Sequence, residues 1–209
     1  SDLGLVRTQA VPVEASLDHH ISGTKIFISG GEHDLTDNIL HLVLARLPGA
    51  APGPKGLSLF LVPKLLPDGT RNTVVCERIE EKMGLHGSPT CVMRFDAATG
   101  WLIGSPGAGL NAMFVMMNAA RLLVALQVIG LLDAAWQKAD AYARERRQMR
   151  APGAAPASRG KEPADLIAEH PAVRRTLDVQ RAWIDGGRLL AYRTGLLLDV
   201  ARHHPDAQE

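Results

Sequence analysis

A few short stretches of the 209-residue sequence gather side chains able to do chemistry. The turn GGEHD (30–34) holds Glu32, His33 and Asp34 within one bend. A metal centre needs ligands that converge from separate places, which three adjacent turn residues rarely do. The turn therefore reads as a loop at a strand end, where His33 could still face a ligand. RHHP (202–205) has the same weakness, because neighbouring histidines on a helix point about 100° apart. Cys76 and Cys91 are the only cysteines and show no CxxC or metal-ligand spacing. They read as free thiols in a reducing compartment. No GxSxG elbow supports a Ser-His-Asp constellation.

Cations are the remaining candidates. Arg121 stands in an otherwise apolar turn, MMNAARLLVAL. A buried, unpaired guanidinium would cost several kcal/mol, so Arg121 either snorkels to solvent or meets a fixed anion. The cluster Arg144 to Arg150, interrupted by Glu145, Gln148 and Met149, reads on composition as a solvated helix end.

Two kinds of element must position these groups. Over residues 5–105, short runs recur between turn signals: KIFIS (25–29), ILHLVLARL (39–47), LSLFLVP (57–63), VVCERIE (74–80) and TCVMRF (90–95). This spacing predicts an antiparallel sandwich or barrel rather than βαβ units. Neither GxGxxG nor GxxxxGK[ST] is present, and GSPGAG (104–109) reads as a turn joining domains. Residues 110–147 predict one long helix that is apolar on several faces, with Leu110, Met113, Met117, Val124 and Val128 on one stripe and Val115, Leu122, Leu126 and Ile129 off it. A proline-rich connector, 150–164, precedes a second helix from about Asp165 to His203. Val173, Leu177, Gln180, Trp183, Ile184, Gly187 and Leu190 mark its inner face, and Gly186-Gly187 predicts close approach of another helix. The fold class is α+β: a β sandwich or barrel over 1–105, then part of a helical bundle over 106–209.

The formal net charge of +1 and the absence of long charged tracts argue against nucleic acid or a membrane surface as partner. There is no secretory signal, and no unbroken apolar run reaches the ~18 residues of a membrane span. A soluble, cytoplasmic protein is expected. SDLG begins like mid-loop and ARHHPDAQE stops just after a helix, so a fragment of a longer protein is expected too.

Several motifs, in order, resemble the acyl-CoA dehydrogenase flavoenzymes. Ser1-Asp2 resembles the end of the family's TEPxAGSD loop, followed by SGTKIFISGGEHD, KGLSLFLVP, EKMGLHGSPTCVMRFD, GAGLNAMFVMMNAAR and YARERRQ. The GEHD turn, GLHGSPTCVM, MMNAAR and HPAVRRTL look most like the 3-methylmercaptopropionyl-CoA dehydrogenase branch. The resemblance implies FAD as cofactor, an acyl-CoA substrate and α,β-dehydrogenation to a trans-2-enoyl-CoA. It further implies a homodimer or homotetramer and an electron acceptor such as an electron-transfer flavoprotein. Phe27, Ile28 and Ser29 match the segment beside the isoalloxazine, with Ser29 in place of a threonine and Phe27 in place of a common tryptophan. Arg146 matches an arginine that reaches the flavin diphosphate of a neighbouring subunit, and Arg147 and Gln148 occupy adjacent FAD-contact positions. Ser1, Asn118 and Arg121 match substrate-side positions, with Arg121 beside the CoA portion.

The departures are equally specific. Some relatives carry the catalytic glutamate just before the arginine; here that residue is Ala120. Others carry it late in the bundle, so the base is expected beyond Glu209. The helical domain that closes over the acyl group and parts of the FAD-binding loops are also missing. The chain alone is expected to bind FAD weakly or not at all and not to turn over. Two other readings stay open: a flavin or acyl-CoA binding protein without catalysis, and a helix-mediated interaction module.

Overall fold

Alternating inward and outward side chains build the first half of the chain. The computed structural model describes residues 2–153 and 162–204. Six strands form one sheet: β1 (Gln9–Pro12), β2 (Asp18–Ser29), β3 (Leu40–Arg46), β4 (Leu57–Pro63), β5 (Val74–Ile79) and β6 (Thr90–Ile103). Their order is β2-β1-β3-β4-β6-β5, and a further pairing of β2 with β6 closes the sheet into a barrel. The long β2–β6 ladder runs from Asp18↔Trp101 to Ser29↔Thr90. One contact departs from the expected antiparallel arrangement: β1 and β3 are parallel and share a single pair, Gln9↔Arg46. Arg46 reinforces that thin seam, donating to the carbonyls of Gly4, Val6, Ala51 and Gly53.

Inward residues of every strand meet in one core that includes Ile21, Val43, Phe60, Val62, Val74 and Phe95. Full burial of a side chain such as Phe60 contributes about 1.5–3 kcal/mol relative to exposure. Strand β6 extends beyond the expected TCVMRF, through Gly100, where a Cβ would lie 2.8 Å from Val62 Cγ2. Strand β1 and the first half of β2 were not anticipated from the sequence.

The glycine corner after β6 is a packing device. Gly107 adopts φ 76° and donates its N–H to Ser58 Oγ at 2.9 Å. At Gly109 a Cβ would come within 2.6 Å of the Ser58 carbonyl carbon, so only glycine fits against β4. Helix α1 (Gly109–Glu145) starts there, and Leu110, Ala112 and Met113 pack on Leu44, Leu57 and Leu59. Contacts divide the chain into Ser1–Met116 and Met117–Glu209.

In the second unit, α1 and α2 (Pro171–His203) run antiparallel. Ile129 meets Gly187, Asp133 pairs with Arg188 at 2.9 Å, and Trp136 Nε1–H donates to the Leu177 carbonyl at 3.0 Å. The Arg181 guanidinium lies 5.2 Å from the Trp136 ring centre. Close approach at Gly187 matches the expectation; Gly186 instead faces open space. Ile184 and Ala191 are buried, whereas Trp183, placed on the inner face by periodicity, is 71% exposed. Helix α2 starts at Pro171, not Asp165, because proline suits a first turn and the backbone of Asp165 bonds to Gln148 and Met149 beside the Arg147–Leu166 bridge. Helix α1 likewise stops at Glu145 rather than 147, since Arg147 pairs with Leu166. Within the expected connector 150–164, residues 154–161 lie outside the described residues.

Helix α1 bears on the expectation about membrane spans. It contains an 18-residue window apolar enough, by length and composition alone, to cross a bilayer. Arg121 and Gln127 broke the unbroken run sought in the sequence, but isolated polar residues do not lower the window average enough. Leu123, Val124, Val128 and Leu131 are all exposed, which bears out a helix apolar on several sides.

Candidate functional site

Three groups of predicted residues sit in defined local settings. The first lies on β2. The β2–β6 register slips between Lys25 and Ile28, bulging out Ile26 and Phe27. Phe27 has φ 60°, in the left-handed region that a bulky residue rarely occupies. Its ring is 67% exposed and Ile26 is 55% exposed. Ile28 turns back onto the barrel core, while Ser29 is exposed opposite Thr90. KIFIS is therefore not an ordinary core strand. It ends in a strained, outward aromatic followed by an accessible hydroxyl, the kind of local strain that concentrates at ligand sites.

The GGEHD turn that follows is an ion-pair anchor. Glu32 pairs with Lys64 and also with Arg71 at 3.3 Å. Burial alone would raise the Glu32 carboxyl, but Lys64 and Arg71 outweigh it and hold the group below its ordinary range. His33 Nδ1 accepts the Leu35 N–H at 3.2 Å. Among the described residues, no three metal-ligating side chains cluster.

Two inward polar residues nearby were missed in the sequence. His41 occupies a buried position of β3 and meets Phe95 edge-on, with ring centres 5.9 Å apart. Its Nε2 is buried without a hydrogen-bond partner among the described residues. Burial pushes its pKa down, opposed by Glu32 and assisted by Lys64 and His33. Lys25, just before the bulge, donates from Nζ to the Leu44 carbonyl at 2.7 Å. Burial lowers its amine to about 8. The available signal was strand alternation: His41 shares the inward phase of Val43 and Ala45.

The second group lies on α1. Arg121 is exposed, not buried, and Nη1 donates to Asn118 Oδ1 at 3.2 Å. Both line a groove of about 620 Å³ between α1 and α2, whose other walls include Leu122, Ile129, Leu190 and Leu198. A cation and an amide thus share a groove that is otherwise mostly apolar. Among the described residues no carboxylate lines it, and Ala120 on the preceding position offers none.

The third group, Arg146, Arg147 and Gln148, lies just past α1. Arg147 Nη1 donates to the Ala164 carbonyl at 3.1 Å, and the Gln148 N–H donates to the Asp165 carbonyl at 3.0 Å. Asp165 is buried and accepts from the Ala151 N–H and from Arg150 Nη1. Those bonds, the Ala151 N–H foremost, hold its carboxyl below the usual range. The arrangement fixes the backbone beneath Arg146 and Arg147, whose side chains are exposed. By helix rise, Arg121 and Arg146 stand roughly 35 Å apart on one chain, so the two do not share a site within it. Ser1, a predicted substrate contact, lies outside the described residues.

Comparison with known proteins agrees with this architecture. Residues 1–98 match the acyl-CoA dehydrogenase middle domain. The chain is 48% identical over 211 residues to 3-methylmercaptopropionyl-CoA dehydrogenase of Ruegeria pomeroyi, a match covering 99% of this chain and 35% of that protein. It is 41% identical over 214 residues to the broad-specificity linear acyl-CoA dehydrogenase FadE5 of Mycobacterium tuberculosis, covering 96% of this chain and 34% of that protein. A similar solved structure is ACDH-11 of Caenorhabditis elegans in complex with C11-CoA, with TM-score 0.75 and 24% identity, over 96% of this chain and 31% of that one. The chain spans about a third of the length of the curated relatives it matches. With a closed barrel leading through a glycine corner into two long helices, and with this identity along nearly all of its length, the chain belongs to the acyl-CoA dehydrogenase family.

Proposed function

We propose that this chain supplies the flavin-facing barrel and two bundle helices of an FAD-dependent dehydrogenase that oxidises the Cα–Cβ bond of an acyl-CoA thioester to the trans-2-enoyl-CoA. The observation that carries the reading is the bulge in β2. An exposed aromatic held at φ 60° and an exposed serine two residues on are the features that support a flavin contact here. These residues fit a planar, hydrogen-bonding ring: Phe27 offers a face and Ser29 an O–H. When bound, FAD supplies the hydride acceptor.

Each remaining residue has a separate task. Arg146 and Arg147, with Gln148, bind the flavin diphosphate, for which guanidinium groups are geometrically suited. Arg121 and Asn118 hold the CoA portion of the substrate at the rim of an apolar groove. Because Arg121 and Arg146 stand far apart on one chain, they serve ligands of different copies, which fits a homodimer or homotetramer. The exposed apolar faces of α1 pack against protein in that assembly, not lipid, since Asn118, Arg121 and Gln127 punctuate them. Among the described residues no carboxylate lines the groove, so the proton-abstracting base comes from a part of the full-length protein outside it.

The substrate proposed is 3-(methylthio)propanoyl-CoA, on the strength of the 48% identity to the Ruegeria pomeroyi enzyme. An electron-transfer flavoprotein is the proposed oxidant of the reduced cofactor, and the cytoplasm the proposed location. Incubating the full-length protein with a panel of acyl-CoA thioesters and an electron-accepting dye tests the reaction. Dye reduction with formation of a 2-enoyl thioester is expected. A purified protein that carries no yellow chromophore and reduces no dye with any thioester would contradict it.

A further inference from the structure

Strand β2 loses support on one side where it becomes functional. Its partner β1 reaches only from His19 to Ser22. From Gly23 to Ser29, β2 is paired with β6 alone among the described strands. The facing strand, β3, is tied to β1 only at Arg46. A gap therefore opens in the barrel wall between β3 and the bulged end of β2. Lys25 crosses it: its Nζ donates to the Leu44 carbonyl of β3 at 2.7 Å. Lys25 is also the last residue in register before the slip that turns Phe27 outward. We infer that Lys25 is a positioning residue for the flavin-facing segment Ile26–Ser29, stapling the unsupported end of β2 to β3 so that the Phe27 ring and the Ser29 hydroxyl are presented in one fixed arrangement. The inference rests on the reading of that segment as a flavin contact.

Burial supports this role. The Lys25 stem is packed in the barrel, so desolvation lowers the amine from 10.5 to about 8. No carboxylate among the described residues compensates it, which is costly for a lysine retained only for solubility. A positioning role predicts an effect confined to the bulge and titrating with this amine.

The test compares Lys25→Met with Val74→Ala in the full-length protein. Val74 is a buried core residue on β5, away from the seam, and its truncation controls for general loss of barrel stability. In FAD-free protein, amide hydrogen exchange at residues 26–29 should accelerate at least tenfold in Lys25→Met and not selectively in Val74→Ala. In holoprotein, Lys25→Met should weaken FAD binding at least tenfold and shift the flavin absorption band, and wild-type affinity should change across pH 8 while that of Lys25→Met stays flat. Equal effects of the two variants on exchange and FAD binding would reduce Lys25 to a stability role and overturn the inference, as would unchanged exchange at 26–29. If wild type binds no FAD but Lys25→Met still loosens residues 26–29, the flavin reading fails and the staple stands.

Discussion

The Arg121 guanidinium donates to the Asn118 side-chain carbonyl at 3.2 Å, one turn back along α1, at the edge of a mostly apolar groove. The amide orients the guanidinium at the groove edge, where a cation suits an anionic ligand. Replacing Arg121 with alanine in the full-length protein should raise the acyl-CoA KM about tenfold or more, with a smaller change in kcat, because a contact remote from the reacting carbons contributes ground-state and transition-state binding alike. Asn118→Ala should raise KM less. Steady-state kinetics decides, and an unaltered KM for Arg121→Ala returns the side chain to solvation alone.

Arg146 is held above a backbone that is bridged to residues 164–167, including the Ile167 N–H to Arg146 carbonyl bond at 2.8 Å. Arg146→Ala leaves those bonds in place. Thermal unfolding of the apoprotein should therefore shift little, while FAD occupancy after dialysis falls severalfold. Full occupancy after dialysis counts against a diphosphate role.

His41 links the barrel to pH. Its folded pKa lies below the ordinary 6.5, chiefly through burial, with Glu32, Lys64 and His33 as the charged and titratable groups acting on it. The unfolded chain therefore binds a proton that the folded barrel refuses. Stability from this group is fully present above pH 6.5 and is lost as pH falls through 6.5 towards the folded value. Chemical denaturation at pH 7.5 and pH 5.5 should show wild type losing stability on acidification, and His41→Leu losing measurably less.

The adjacent glycines of α2 separate helix propensity from packing. At Gly186 a Cβ meets nothing within 4 Å, whereas at Gly187 it would meet Ile129 Cγ1 at 3.2 Å. In the 209-residue chain, Gly186→Ala should stabilise by about 0.5–1 kcal/mol through backbone entropy and helix propensity. Gly187→Ala should gain less or lose stability, because Ile129 must move. Paired denaturation curves check the order.

How far the fold was legible depended on pattern length. KIFIS, ILHLVLARL and LSLFLVP carry dense apolar character, and each lies in an observed strand. DHHISG at the start of β2 and ATGWLI at the end of β6 do not, since polar residues and Gly100 interrupt them, and pairing with each other, with β1 and with β4 makes them strands. Barrel closure was equally hidden, because it rests on one long non-local ladder and a single parallel contact.

The site was legible where chemistry resides in residue type. Arg121 alone stands out by type, as a charge in an apolar turn; Asn118 and the Arg146–Gln148 run entered through the family resemblance, and the structure gives each a local setting. The Phe27 bulge was not visible, because a register slip is a relation between strands that only the β6 partner reveals. Lys25 and His41 escaped notice for a related reason: inward polar residues look like solvated ones until the opposite wall of the barrel is known. The ends of both helices shifted because Arg147 and Leu166 form a backbone bridge, flanked by Asp165, that no helical periodicity encodes.

The most direct measurement is anaerobic titration of the purified full-length flavoprotein with acyl-CoA thioesters, following the flavin absorbance. The account predicts rapid bleaching by 3-(methylthio)propanoyl-CoA, slowed at limiting substrate by Arg121→Ala. A yellow protein that no acyl-CoA bleaches would contradict the dehydrogenase assignment.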